Sequence, residues 1–123
     1  MANPNLGSVA NIYGNLGQTN LSTTSATQLI SNAVASGTII KVETVQVTNT
    51  SGTAANFTLN TYNQYGLNGT AFPFASAISI APNSTVNIID KTNSIYLPEN
   101  TSLGATAGTA NALIVTAAWE IMS

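Results

Sequence analysis

The sequence predicts an all-β fold: an antiparallel β-sandwich, jelly-roll-like or Ig-like, of about eight short strands with an extended N-terminal arm. Three observations predict it. Apolar and polar residues alternate with a period of two along several short stretches, which puts each set on one face of a pleated strand. Turn residues interrupt those stretches every ~8–12 residues. No stretch of convincing length carries a helical period, and no internal repeat is evident.

Residues 1–25 are rich in Asn, Gly, Thr and Ser, and Gly7, Gly14 and Gly17 punctuate them. Leu6, Val9, Ile12, Tyr13, Leu16 and Leu21 are what this segment has to bury. Their scatter is too regular for a linker, and they are too few for a layer of their own. A flexible terminus and an arm that orders on a neighbouring subunit both fit. The division adopted is an arm over residues 1–25 and a sandwich domain over 26–123.

Residues 26–35 are ambiguous between a strand and a helical turn; a strand over 27–31 is favoured, ending at Ser36-Gly37. Residues 38–49 are clearer. Ile40 and Val42 share one parity while Val45 and Val47 share the other. One extra residue near Glu43-Thr44, a β-bulge, keeps all four on one face. Lys41 and Glu43 then point outward as a surface pair of little energetic weight.

Residues 50–53 read as a turn, and the alternating Ala55, Phe57 and Leu59 as the second strand of a hairpin with 38–49. Residues 62–70 hold Gly66 and Asn68-Gly69, which is turn chemistry, yet they also carry Tyr62, Tyr65 and Leu67. Pro73, between Phe72 and Phe74, confines its segment to a sheet edge or a strand start. Strands follow at 77–80, 85–89 and 95–97, separated by turns at 81–84, 90–94 and 98–100. A last hairpin joins 101–107 to 111–122 around Gly108-Thr109-Ala110. In its second strand Leu113, Val115, Ala117, Trp119 and Ile121 fall on one face, and the single Trp gives that face most area to bury. A short buried helix suits some of these residues, but the Val/Ile/Thr/Trp content and the lack of a cap favour a central strand.

At 123 residues the chain makes one domain with room for a real core. Its charge is unusual: 5% of residues are charged, where about 25% is common. No apolar run approaches the ~20 residues of a spanning helix, so no membrane partner is expected. Disorder does not fit a chain this rich in β-branched residues and poor in charge. A net charge of −2 with two basic residues leaves no stripe for phosphates, so no nucleic-acid partner is expected either. The start, Met1-Ala2-Asn3-Pro4-Asn5, has no basic or apolar leader, and synthesis and folding in the cytoplasm is the expectation.

Catalysis lacks its usual groups. Histidine and cysteine are absent, which removes the commonest bases, thiol nucleophiles and transition-metal ligands. The carboxylates Glu43, Asp90, Glu99 and Glu120 are spaced as a strand exterior, two turns and a final strand, as solvated or capping groups rather than a facing pair. There is no Asp-rich calcium loop and no phosphate-cradling glycine loop before a helix. No catalytic residue, metal site or cofactor is assigned, and the chain is read as not an enzyme. Asn20-Leu21-Ser22, Asn56-Phe57-Thr58 and Asn83-Ser84-Thr85 match the glycan acceptor pattern, which a chain this dense in Asn, Ser and Thr produces by chance. Tyr62, Tyr65, Phe72 and Phe74 are either ordinary packing or an aromatic platform for a sugar or partner.

Residues 20–32 (NLSTTSATQLISN), 37–42 (GTIIKV), 45–49 (VQVTN), 95–103 (IYLPENTSL) and 114–121 (IVTAAWEI) carry a family likeness. Across about its last hundred residues the chain resembles small β-sandwich proteins that decorate or cement the capsids of tailed bacteriophages. The resemblance implies a non-enzymatic virion protein added to the head surface, assembled in the host cytoplasm, with the major capsid protein as partner and a homo-oligomer, a trimer being favoured. The neutral Thr/Asn/Ser surface suits such a role, because it packs against copies without burying charge. Leu6, Val9, Ile12 and Tyr13 in the arm, and Tyr62, Tyr65 and Phe72 on the long excursion, are the expected partner contacts. The alternative is a glycan- or receptor-binding fibre or tail module, and a tail or neck component is a third reading.

Overall fold

The computed structural model describes residues 4–123; residues 1–3 of the expected arm lie outside the described residues. Among the described residues nine strands form: β1 (Ile12–Asn20), β2 (Thr27–Asn32), β3 (Ile39–Asn49), β4 (Ala55–Tyr62), β5 (Ala71–Ile80), β6 (Thr85–Ile89), β7 (Ile95–Leu97), β8 (Thr101–Ala107) and β9 (Leu113–Met122). One sheet runs β1-β9-β3-β6, with β7 continuing the β6 side of β3, and the other runs β2-β8-β4-β5. All pairings are antiparallel. Each strand of the first half pairs with its counterpart in the second: β1 with β9, β2 with β8, β3 with β6 and β4 with β5. That is a long hairpin wrapped over itself, the jelly roll among the expected sandwich types.

Alternation along the strands builds the core. Val42, Val45, Val47, Val115 and Ala117 face Phe57, Leu59, Ile80, Leu103 and Ala105 across the two sheets, all buried. The β3 register shifts between Val42 and Thr44 against β9. This is the bulge that lets Ile40, Val42, Val45 and Val47 share the inner face. Pro73 sits in β5, an edge strand, where its missing N–H costs no ladder bond. Residues 72–74 and 77–80, read as separate pieces, are one strand that stays continuous through two register shifts against β4.

Two expected hairpins do not form. β3 and β4 lie in opposite sheets, and so do β8 and β9. The turns at 50–53 and 108–110 instead cross from one sheet to the other. The reason is occupancy: β3 already has β9 on one edge and β6 and β7 on the other, and β9 lies between β1 and β3. Neither strand has an edge left for its chain neighbour. Buried asparagines hold two of the crossings. Asn49 donates to the carbonyls of Thr53 (2.8 Å) and Ile80 (3.0 Å) and accepts from the Ser51 N–H and hydroxyl. Asn32 donates to Thr38 O and Leu97 O and accepts from the Ser36 and Thr38 hydroxyls. Each side chain replaces the ladder bonds that a strand end loses at a corner.

Of residues 1–25, Ile12–Asn20 are β1, paired without a register shift along β9, and Leu21 is fully buried in the core.

Candidate functional site

Half of the chain's six charged residues gather on the outer face of the first sheet. Gly14, Glu120, Lys41 and Tyr96 stand in register across β1, β9, β3 and β7. Glu43, displaced by the bulge, pairs with Lys41 at 3.3 Å. It also shares a hydrogen bond with Glu120, which holds the Glu43 carboxyl below its usual range and pushes Glu120 above it. Hydrogen bonding and the nearby Glu43 charge raise Lys41. The two carboxyls are neighbours on an open sheet face. They do not flank a cleft wide enough for a substrate. The other carboxylates cap loops: Asp90 accepts from the Thr92 hydroxyl (2.6 Å) and N–H, which lowers its pKa, and Glu99 accepts from the Gly37 N–H at 2.8 Å. Among the described residues no three His, Cys, Asp or Glu side chains gather to hold a metal ion. No helix among them is long and apolar enough to cross a membrane.

The second feature is the free edge of β1. Asn11 and Ser123 exchange both backbone bonds, at 2.9 and 3.0 Å, and the Leu21 N–H donates to Leu113 O at 2.9 Å. Bonding alternates along an antiparallel pair, so Tyr13, Asn15, Gly17 and Thr19 turn their backbone groups to β9. Ile12, Gly14, Leu16, Gln18 and Asn20 therefore point theirs the other way, along an edge where no strand lies among the described residues. Side chains on this strand are open as well: Ile12 is 59% exposed, Tyr13 61% and Leu16 68%. Ile12 and Leu16 lie on the outer face beside Met122 and Ala118.

The third feature is an apolar pocket of about 300 Å³ where the sheets part at the β5 edge. Phe72 and Phe74 from β5, Ile95, Tyr96 and Leu97 from β7, and Pro98 form most of its wall, with Thr61, Tyr62, Asn63 and Thr101 completing the lining. Its wall is almost wholly apolar, and Phe72 is 53% exposed.

The seven expected contact residues fall in three places. Ile12 and Tyr13 are on β1, while Leu6 lies on a short 3₁₀ turn before it and Val9 is half-buried. Tyr62 and Phe72 meet at the pocket. Tyr65 goes elsewhere, onto a 3₁₀ turn (Tyr65–Leu67) that covers the outer face of β2 and β8. There the N–H groups of Tyr65, Gly66 and Leu67 donate to Asn100, Ser31 and Ser102 side chains. A Cβ at Gly104 would stand 2.8 Å from the Leu67 Cδ2, so the absent side chain is what admits this turn. Leu16 and Tyr96 are exposed residues of these features that the expected contacts left out. The common parity of Ile12 and Leu16 was a signal for the first; for Tyr96 there was none, because its neighbours come from distant strands.

No known protein family matches the chain, and no curated protein matches it. Solved structures do. A chain of the disulfide-linked pili that form Bacillus endospore appendages is similar at TM-score 0.50 and 16% identity, over 99% of this chain and 95% of that one. A chain of the T13 particle of infectious bursal disease virus, from work on icosahedral virus evolution, is similar at TM-score 0.56 and 12% identity over 91% of this chain. This chain spans 30% of the length of that viral one. At such identities the likeness is one of fold.

Proposed function

We propose that this protein is a non-enzymatic structural subunit of a bacteriophage virion, which decorates and reinforces the capsid through contacts with the major capsid protein and with its own copies. The observation that carries the reading is the β1 edge: nine residues without a charge, open on one side, with Ile12, Tyr13 and Leu16 exposed. Such an edge is a pairing site unless something covers it. Residues 1–25 act as the contacting arm, whose β1 part lies on the first sheet while its far side faces a neighbour. The two fold neighbours named above come from assemblies, a pilus and a viral particle, which agrees with this role. The pilus linkage itself has no counterpart here, since the chain has no cysteine.

The test is addition of the purified protein to particles that lack it. Decoration predicts hundreds of copies over the head and a higher temperature of genome release. A handful of copies at the tail, or none, would refute it. The aromatic wall of the pocket favours one second reading, a glycan- or receptor-binding module. A glycan array separates the two, because decoration needs no sugar.

A further inference from the structure

We infer that β1 pairs with β1 of a second copy across a two-fold axis, making one continuous sheet through two sandwiches. The inference deepens the assembly reading above and names its partner.

The other sheet edges are guarded. β2 has six residues and a register shift between Gln28 and Ile30. β5 carries Pro73, two register shifts and a positive φ at Ala77. β6 has five residues and a shift beside Val45, and β7 has three. Short length, bulges and proline are the devices that stop strands from adding to an edge. β1 has none of them: nine residues, no proline and nine consecutive pairs with β9.

A second copy fits this edge for two reasons. An identical partner brings identical charges, and β1 has none, so a two-fold contact sets no like charges together. The backbone groups that face out belong to the even-numbered residues, spaced symmetrically about Leu16. Full overlap places Leu16 beside Leu16 of the second copy, Ile12 beside Asn20 and Gly14 beside Gln18. In that register every outward N–H meets an outward carbonyl. The exposed Leu16 side chains then cover each other at the axis.

The experiment uses the whole chain, free in solution, with mass by light scattering across a concentration series. A dimer is expected. The chain has no cysteine, so single substitutions report register. Directly opposite residues lie ~5.5 Å apart between Cα atoms, within disulfide reach. Leu16→Cys should therefore cross-link to a covalent dimer on mild oxidation, and Gln18→Cys, displaced from its own copy, should not. Leu16→Lys sets two charges face to face and should weaken the dimer roughly tenfold or more while Trp119 emission stays unchanged. A monomer at all concentrations, a trimer, or cross-linking of Gln18→Cys as fast as Leu16→Cys would overturn the inference. A dimer that fails to bind particles would instead refute the capsid role and leave the pairing intact.

Discussion

Gly17 of β1 lies under the ring of Trp119 on β9. A Cβ at position 17 would stand 2.9 Å from the ring's Cη2 and 3.0 Å from its Cζ3. The missing side chain is what lets the largest apolar group of the chain close over the sheet from its neighbour strand.

Replacing this glycine should therefore lift the indole. Gly17→Ala gains some backbone entropy in the folded comparison, about 0.5–1 kcal/mol, but crowds the ring at a cost of about 1–3 kcal/mol. A net loss near 1 kcal/mol is expected, with a red shift of emission from the single Trp. Unchanged emission would mean that the ring does not rest on β1.

Asn49 is expected to matter more than its size suggests. Asn49→Ala removes bonds to Thr53, Ile80 and Ser51. The bond to the Ile80 carbonyl is the buried one, and losing it costs about 1–3 kcal/mol, while the less buried groups at Thr53 and Ser51 can turn to water. A loss of roughly 2 kcal/mol, read as a fall in melting temperature of about 10 °C, is the expected outcome. Ser51→Ala, nearer the surface, should cost less. Equal losses would show that the corner is held by something other than Asn49.

The Glu43–Glu120 contact predicts a pH-dependent effect with a definite sign. Glu120 has its pKa raised, so its contribution to stability is present in acid and is lost as pH rises through its folded value. Glu43 has its pKa lowered, so its contribution appears above the ordinary carboxylate value and is lost as pH falls. Glu120→Gln keeps a donor for Glu43 without a second negative charge. It should raise the melting temperature at neutral pH, with the gain vanishing below about pH 4. The same shift at both pH values would show that the two carboxyls do not act on each other.

Attachment to a particle should respond weakly to salt. Screening acts on charge pairs, and the proposed contact strand holds no charge. Elution of bound protein by moderate salt would contradict a neutral interface.

Much of this architecture was legible in the chain. The alternation of Leu113, Val115 and Ala117 against Ile114 and Thr116 settles which face of β9 is inward, whatever it pairs with. The parity change between Val42 and Val45 has one remedy that keeps both buried, and the bulge stands where that remedy puts it. Pro73 could sit only where no neighbour needs its N–H. These are local matters, because side-chain direction and proline's missing donor travel with the residue. Partner choice is different. Every strand offers the same backbone donors and acceptors, so nothing in residues 38–62 says that β3 and β4 part company. That was decided by β9, β6 and β7 filling the edges of β3. The pocket also belongs to tertiary structure: Phe72 and Tyr96 are far apart in sequence and meet because two sheets end at the same rim. That β1 keeps an unguarded edge is likewise a result of where the other strands of its sheet have paired.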